Sequence, residues 1–153
     1  MIRTIDGFHT DDHGDWVAEL SCLHRQHVRH RPPFQDRAWI ETRSGRDGRV
    51  GTAIDCPLCD RAEMPEGLEV ARTVGPFDAE TLPAGLRRDH RLAERTWGRL
   101  RVIDGQVRFS MATAPPVSVL LTAGHAQPIP PGLPHALHVG GPLLVEIDFL
   151  ERR

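Results

Sequence analysis

Three cysteines, all in the first 60 residues, limit what this chain can fold into more than any other feature. Cys22 stands in Cys22-x-His24-x-x-His27, and Cys56 and Cys59 stand in Asp55-Cys56-Pro57-Leu58-Cys59-Asp60. Zinc takes thiolate and imidazole ligands in a tetrahedron, and two short clusters about thirty residues apart each supply one edge once the chain between them folds back. The expected ligands are Cys22, His24, Cys56 and Cys59, with His27 as the alternative to His24. The competing reading is three unrelated thiols. A disulfide framework fits less well: three is an odd number, and no apolar targeting segment opens the sequence, so reduced thiols in the cytoplasm are expected.

The 153 residues suffice for one domain, or for a very small unit of about 65 residues followed by one of about 85. Residues 1–67 contain few large apolar side chains beyond Ile2, Ile5, Phe8, Trp16, Val17, Leu20, Phe34, Trp39, Ile40 and Ile54. So thin a core offsets chain entropy poorly, and a structural metal would make up the deficit. The boundary is placed near Gly67, giving a Cys/His module over 1–67 and a second domain over 68–153.

The first segment alternates as a hairpin: Arg3 to Phe8, a turn through Asp11–Asp15, then Trp16 to Leu20 running into Cys22. Pro32-Pro33 breaks regular structure, and Thr42 is placed to cap a short helix ending near Gly51. Beyond Gly67 come short apolar runs: Leu68–Thr73, Gly98–Ile103, Val107–Met111, Val117–Leu121, Ala126–Ile129, His135–Val139 and Leu143–Leu150. Seven short strands predict a β-barrel or jelly roll, with Asp104-Gly105 expected to turn a hairpin. The fold class is mainly β, with a small α+β module in front.

No apolar run is long enough to span a bilayer, and the net charge of −2 gives no global attraction to nucleic acid. Locally, His24, Arg25, His27, Arg29, His30, Arg31 and Arg37, with Phe34 and Trp39, would suit an anionic strand. Against that, residues 1–67 hold nine arginines and twelve acids, which favours a solvated, pairing-rich surface over nucleic-acid binding.

Gly124, Pro130, Gly132 and His135, in the spacing G-x5-P-x-G-x2-H, resemble the second signature of the cupin barrels, in which a Pro/Gly turn delivers a histidine to the barrel mouth. Asp89 to Gly98 occupies the place of the first signature, with Leu92 where a second histidine is usual. The runs Leu82–His90, Thr96–Leu100 and Glu146–Leu150 are similar to the tellurite-resistance-associated (TehB/YeaR-like) small cupins. That resemblance implies a double-stranded β-helix with His90 and His135 facing one another across the mouth. It also implies a third metal ligand among Glu94, His138, Glu146 and Asp148, Glu146 being the one chosen. Such a site would suit Fe, Mn, Ni or Zn with open positions for a small-molecule ligand or substrate; a metal-free barrel is the alternative. Trp97 would wall a ligand pocket there or belong to the core.

Gly7-Phe8-His9, Asp15–Leu20, His27–Pro33 and Asp55–Cys59 resemble an uncharacterised bacterial family that carries glycine where Leu23 stands, implying a differently shaped turn in this chain. A role in tellurite or stress resistance follows from resemblance alone. Whether the chain is an enzyme stays open between a metal-dependent cupin oxygenase, isomerase or reductase and a ligand-sensing barrel with a regulatory zinc module. Small cupins pair through their sheets, so a homodimer is an expectation.

Overall fold

Ile2, Ile5 and Phe8 fall on the first strand of a computed structural model that describes all 153 residues. Strand β1 (Ile2–Thr10) pairs antiparallel with β2 (Trp16–Leu20), which pairs with β3 (Arg25–His27). On its other side β1 pairs with β4 (Ala53–Asp55), giving the order β3-β2-β1-β4. Between β3 and β4 lies helix α1 (Arg43–Asp47), capped as expected by Thr42, whose Oγ1 accepts from the Gly45 amide at 3.1 Å. The helix stops at Asp47, short of Gly51, because Gly45 and Gly48 give it little propensity. Ile5, Val17, Ala18, Leu20, Val28 and Ile40 are the buried apolar residues of this segment beyond the turn that carries Cys22.

Contacts divide the chain into Ile2–Cys56 and a second unit of Pro57–Arg153 with Met1. The second unit opens with the short helix α2 (Pro57–Asp60), whose Asp60 accepts a hydrogen bond from the Ala114 amide at 3.0 Å. Its strands are β5 (Glu69–Asp78), β6 (Trp97–Met111), β7 (Val117–Thr122), β8 (Ala126–Ile129), β9 (His135–His138) and β10 (Leu143–Glu151). They form one antiparallel sheet of order β5-β10-β6-β7, to which β8 and β9 add by pairing with β6.

The expected hairpin at Asp104-Gly105 is absent: β6 runs straight through it for 15 residues. Its first half pairs with β10 and β8, its second half with β7 and β9. Gly105, at φ 71°, supplies a bend where the strand changes partners, so the glycine curls the sheet instead of reversing the chain. Leu100, Val107, Phe109, Leu137, Val145 and Ile147 form the centre of the core inside this curl. Strands hold 46% of the chain and helices 11%, so it is mainly β with curled antiparallel sheets. No helix is long and apolar enough to cross a membrane.

Candidate metal centre and histidine pair

The central strand β1 explains why two distant clusters meet. It carries β2 on one side and β4 on the other, so the turn after β2 and the residue after β4 arrive at the same end of the sheet. The Ser21 amide bonds the Thr4 carbonyl at 2.9 Å, and Gln26 Nε2 donates to the Asp55 carbonyl at 2.8 Å, fixing both edges. The β2–β3 turn closes through Leu23 N–H to the Leu20 carbonyl at 2.8 Å and Leu20 N–H to the His24 carbonyl at 3.0 Å. Leu23 takes φ 69°, the left-handed conformation glycine favours, so the turn has the glycine-type shape despite its side chain.

Within this frame Cys22, His24, Cys56 and Cys59 come together, all buried, with their ligand atoms within 4.8 Å of one another. Cys59 is supplied by α2, one turn beyond Cys56. His24 Nδ1 lies 3.4 Å from both the Cys22 and the Cys56 sulfur, and the two sulfurs are 3.8 Å apart. A tetrahedral zinc with bonds of about 2.3 Å to sulfur and about 2.0 Å to nitrogen has sulfur–sulfur edges of about 3.8 Å and sulfur–nitrogen edges of about 3.5 Å. The three edges therefore fit zinc in size. Burial opposes a charge on His24, yet the Cys22 and Cys56 sulfurs outweigh it and push the imidazole up to about 9. The electron-rich sulfurs favour a positive centre at that spot, which a divalent cation satisfies better than a proton.

His27 is placed elsewhere. It is half-exposed on β3, with Nε2 2.9 Å from the Asp11 carboxylate.

In the second unit, His90 and His135 lie side by side. They exchange backbone hydrogen bonds of 2.9 and 3.0 Å, and their rings stand edge to face with centroids 5.3 Å apart. His135 is buried, its Nδ1 is 2.9 Å from the Leu133 carbonyl, and burial holds its pKa below the ordinary range.

No third ligand joins the two imidazoles. Glu146 lies on the opposite side of β10 from Ile147, which packs into the core, and is paired with Arg101 at 2.6 Å. Asp148, on the same outer face, is held by Arg99 at 2.8 Å and Arg101 at 2.9 Å and accepts from Thr73 at 2.7 Å. His138, three residues along β9 from His135, bonds Ser110 on the outside, and Glu94 is exposed. Trp97 is fully buried and is not among the residues lining the hollow beside His90. The aromatic side chains beside His90 are Phe77 and Phe149, which the sequence reading did not single out. Alternation in β10 marks Phe149, but only the pairing of β10 with β5 brings Phe77 to the same hollow.

Residues 6–63 match a family described as a protein of unknown function (DUF3565), and residues 72–146 match the TehB-like domain. No curated protein matches the chain in sequence. Among solved structures, a structural-genomics protein of Escherichia coli strain K12 is similar at 24% identity and a TM-score of 0.53, over 60% of this chain and 97% of that one. TehB from Haemophilus influenzae is similar at 20% identity and a TM-score of 0.52, over 58% of this chain. The chain spans only 33% of TehB's length, and both likenesses concern the fold alone.

Proposed function

We propose that the chain is a zinc-held binding protein. Residues 1–67 form a module closed by one structural zinc on Cys22, His24, Cys56 and Cys59, and residues 68–153 form a small cupin-type jelly roll that takes up a small molecule beside His90. The observation that carries the reading is the buried Cys3His cluster with its tetrahedron-sized edges. Four protein ligands leave no open position, so this metal stabilises the fold and does no chemistry. Its thiolates require a reducing compartment, for which the cytoplasm is the natural setting.

An enzymatic barrel would need a metal with a free coordination site. Two imidazoles hold a divalent cation poorly, and the nearby carboxylates are neutralised by arginines. We therefore place ligand binding ahead of turnover. The match of residues 72–146 to the TehB-like domain is what supports a role in tellurite or stress resistance. In the first module, Asp15, Glu19 and Asp11 pair with Arg29, Arg25 and His27, which weighs against nucleic acid as the partner.

Elemental mass spectrometry on protein purified without chelator tests this. We expect one zinc per chain in wild type and in His135→Ala, and none in Cys56→Ala. Wild type without zinc would overturn the proposal, and a second metal lost with His135→Ala would restore the catalytic barrel.

A further inference from the structure

The connection from β5 to β6 turns back over the sheet through a short 3-10 segment, Ala84–Arg87. A hollow of about 290 Å³ opens between this segment and the β5–β10 ladder. Val74 and Phe77 line it from β5, Ile147 and Phe149 from β10, and Leu86 from the turn; His90 is its one hydrogen-bonding side chain. That volume lies at the lower end for small-molecule sites, which sets a ligand of roughly ten heavy atoms.

His90 is unspent. Its backbone is used by His135, but its ring nitrogens bond no protein group, whereas His135 is tied to the Leu133 carbonyl. One cation stands beside a wall of the hollow: the Arg72 guanidinium lies 4.3 Å from the centre of the Phe149 ring, and the 79–91 connection carries three arginines, Arg87, Arg88 and Arg91, against Glu80 and Asp89. Two aromatic walls, one free imidazole and a neighbouring guanidinium match a flat apolar body with a single anionic head.

We propose that this hollow binds a small aromatic monocarboxylate of about the size of benzoate, its ring among Phe77, Phe149 and Leu86 and its carboxylate accepting a hydrogen bond from His90. The proposal rests on the reading of the second unit as a binding barrel and adds the chemical class of the ligand.

The test is an amide-resolved NMR titration of the full, zinc-containing chain with sodium benzoate, with toluene and acetate as comparisons. Saturable shifts at the Leu86 and His90 amides below about 10 mM benzoate are expected, with none from acetate. Leu86→Trp, which fills the hollow, should weaken benzoate by at least about tenfold. His90→Phe, which keeps a ring but loses the donor, should weaken benzoate by about tenfold while toluene changes less than about twofold. No saturable shift in wild type, full benzoate affinity in folded Leu86→Trp, or full benzoate affinity in His90→Phe would each overturn the assignment. Zinc per chain, read on the same samples, reports separately on the metal module, so failure of one reading is distinguishable from failure of the other.

Discussion

His24 and His27 lie three residues apart on one hairpin, and their surroundings give them opposite fates. His24 sits in the turn, 4% exposed, with Nδ1 between two sulfurs, while His27 has moved onto the edge strand and bonds Asp11. His24→Ala is therefore expected to lose zinc, and His27→Ala to retain it, by elemental analysis; the reverse result would reassign the fourth ligand. Spacing narrowed the choice to these two residues and could go no further, because the turn that selects between them depends on a left-handed Leu23. A second residue-scale expectation concerns Asp148. Arg101 above all, then Thr73 and Arg99, hold its carboxyl far below the usual carboxylate range against the opposing effect of burial. A carboxylate whose pKa is lower folded than unfolded contributes stability above about pH 4, and loses it as pH falls through the folded value. Asp148→Asn should cost about 2 kcal/mol at pH 7 in urea unfolding, and the gap to wild type should narrow steadily below pH 4, where the unfolded wild-type carboxyl takes up a proton while the folded one stays ionised. Asp11, pushed down to about 2 by His27 and the Asp15 amide, is common to both proteins, as is the Cys/His cluster, so both cancel in the comparison. A gap that stays constant from pH 7 down to about pH 2 would mean that shape, not charge, is what Asp148 contributes.

Gly105 decides the path of β6. Its positive φ and its closeness to the Pro142 carbonyl, which a Cβ would strike, leave room for no other residue. Gly105→Ala is expected to lower stability by about 2 kcal/mol or more, measured by equilibrium urea unfolding; a loss under about 0.5 kcal/mol would show that the bend is not constrained there. The same glycine explains why one element was misread from sequence. Asp-Gly reports a positive φ, which serves a two-residue hairpin and a bent strand equally, and only the pairing of each half of β6 with different partners separates them. Where burial alternates, as in β7 and the first half of β10, the strands stand where the pattern put them. Edge strand β5 runs on to Asp78, past the expected end at Thr73. Its side chains are nearly all exposed, so no apolar alternation marks it, and Gly75-Pro76 reads as a break although an edge strand tolerates proline.

At the scale of the whole molecule the two units differ in how they are held. Pro57–Arg153 contains a continuous apolar cluster around Leu100, Phe109, Leu137 and Val145, together with long strand ladders. Ile2–Cys56 buries only a handful of aliphatic side chains and a four-stranded sheet, less than a unit of that size ordinarily needs to stand alone. The cluster of thiols was legible because metal ligands announce themselves by type and spacing, whereas the hollow beside His90 was not, since its walls are ordinary core residues gathered by topology. If the zinc makes up the deficit, removing it from the intact chain should release one unit and spare the other. Hydrogen exchange after treatment with a strong zinc chelator is the measurement. Amides of β1, β2 and β4 are expected to lose protection by several orders of magnitude, in line with zinc-binding free energies on the order of 10 kcal/mol in small zinc folds, while those of β6 and β10 keep theirs. Unchanged protection in β1 and β2 would show that the sheet and its few aliphatic contacts suffice, and would reduce the cluster from the staple of the fold to an accessory of it.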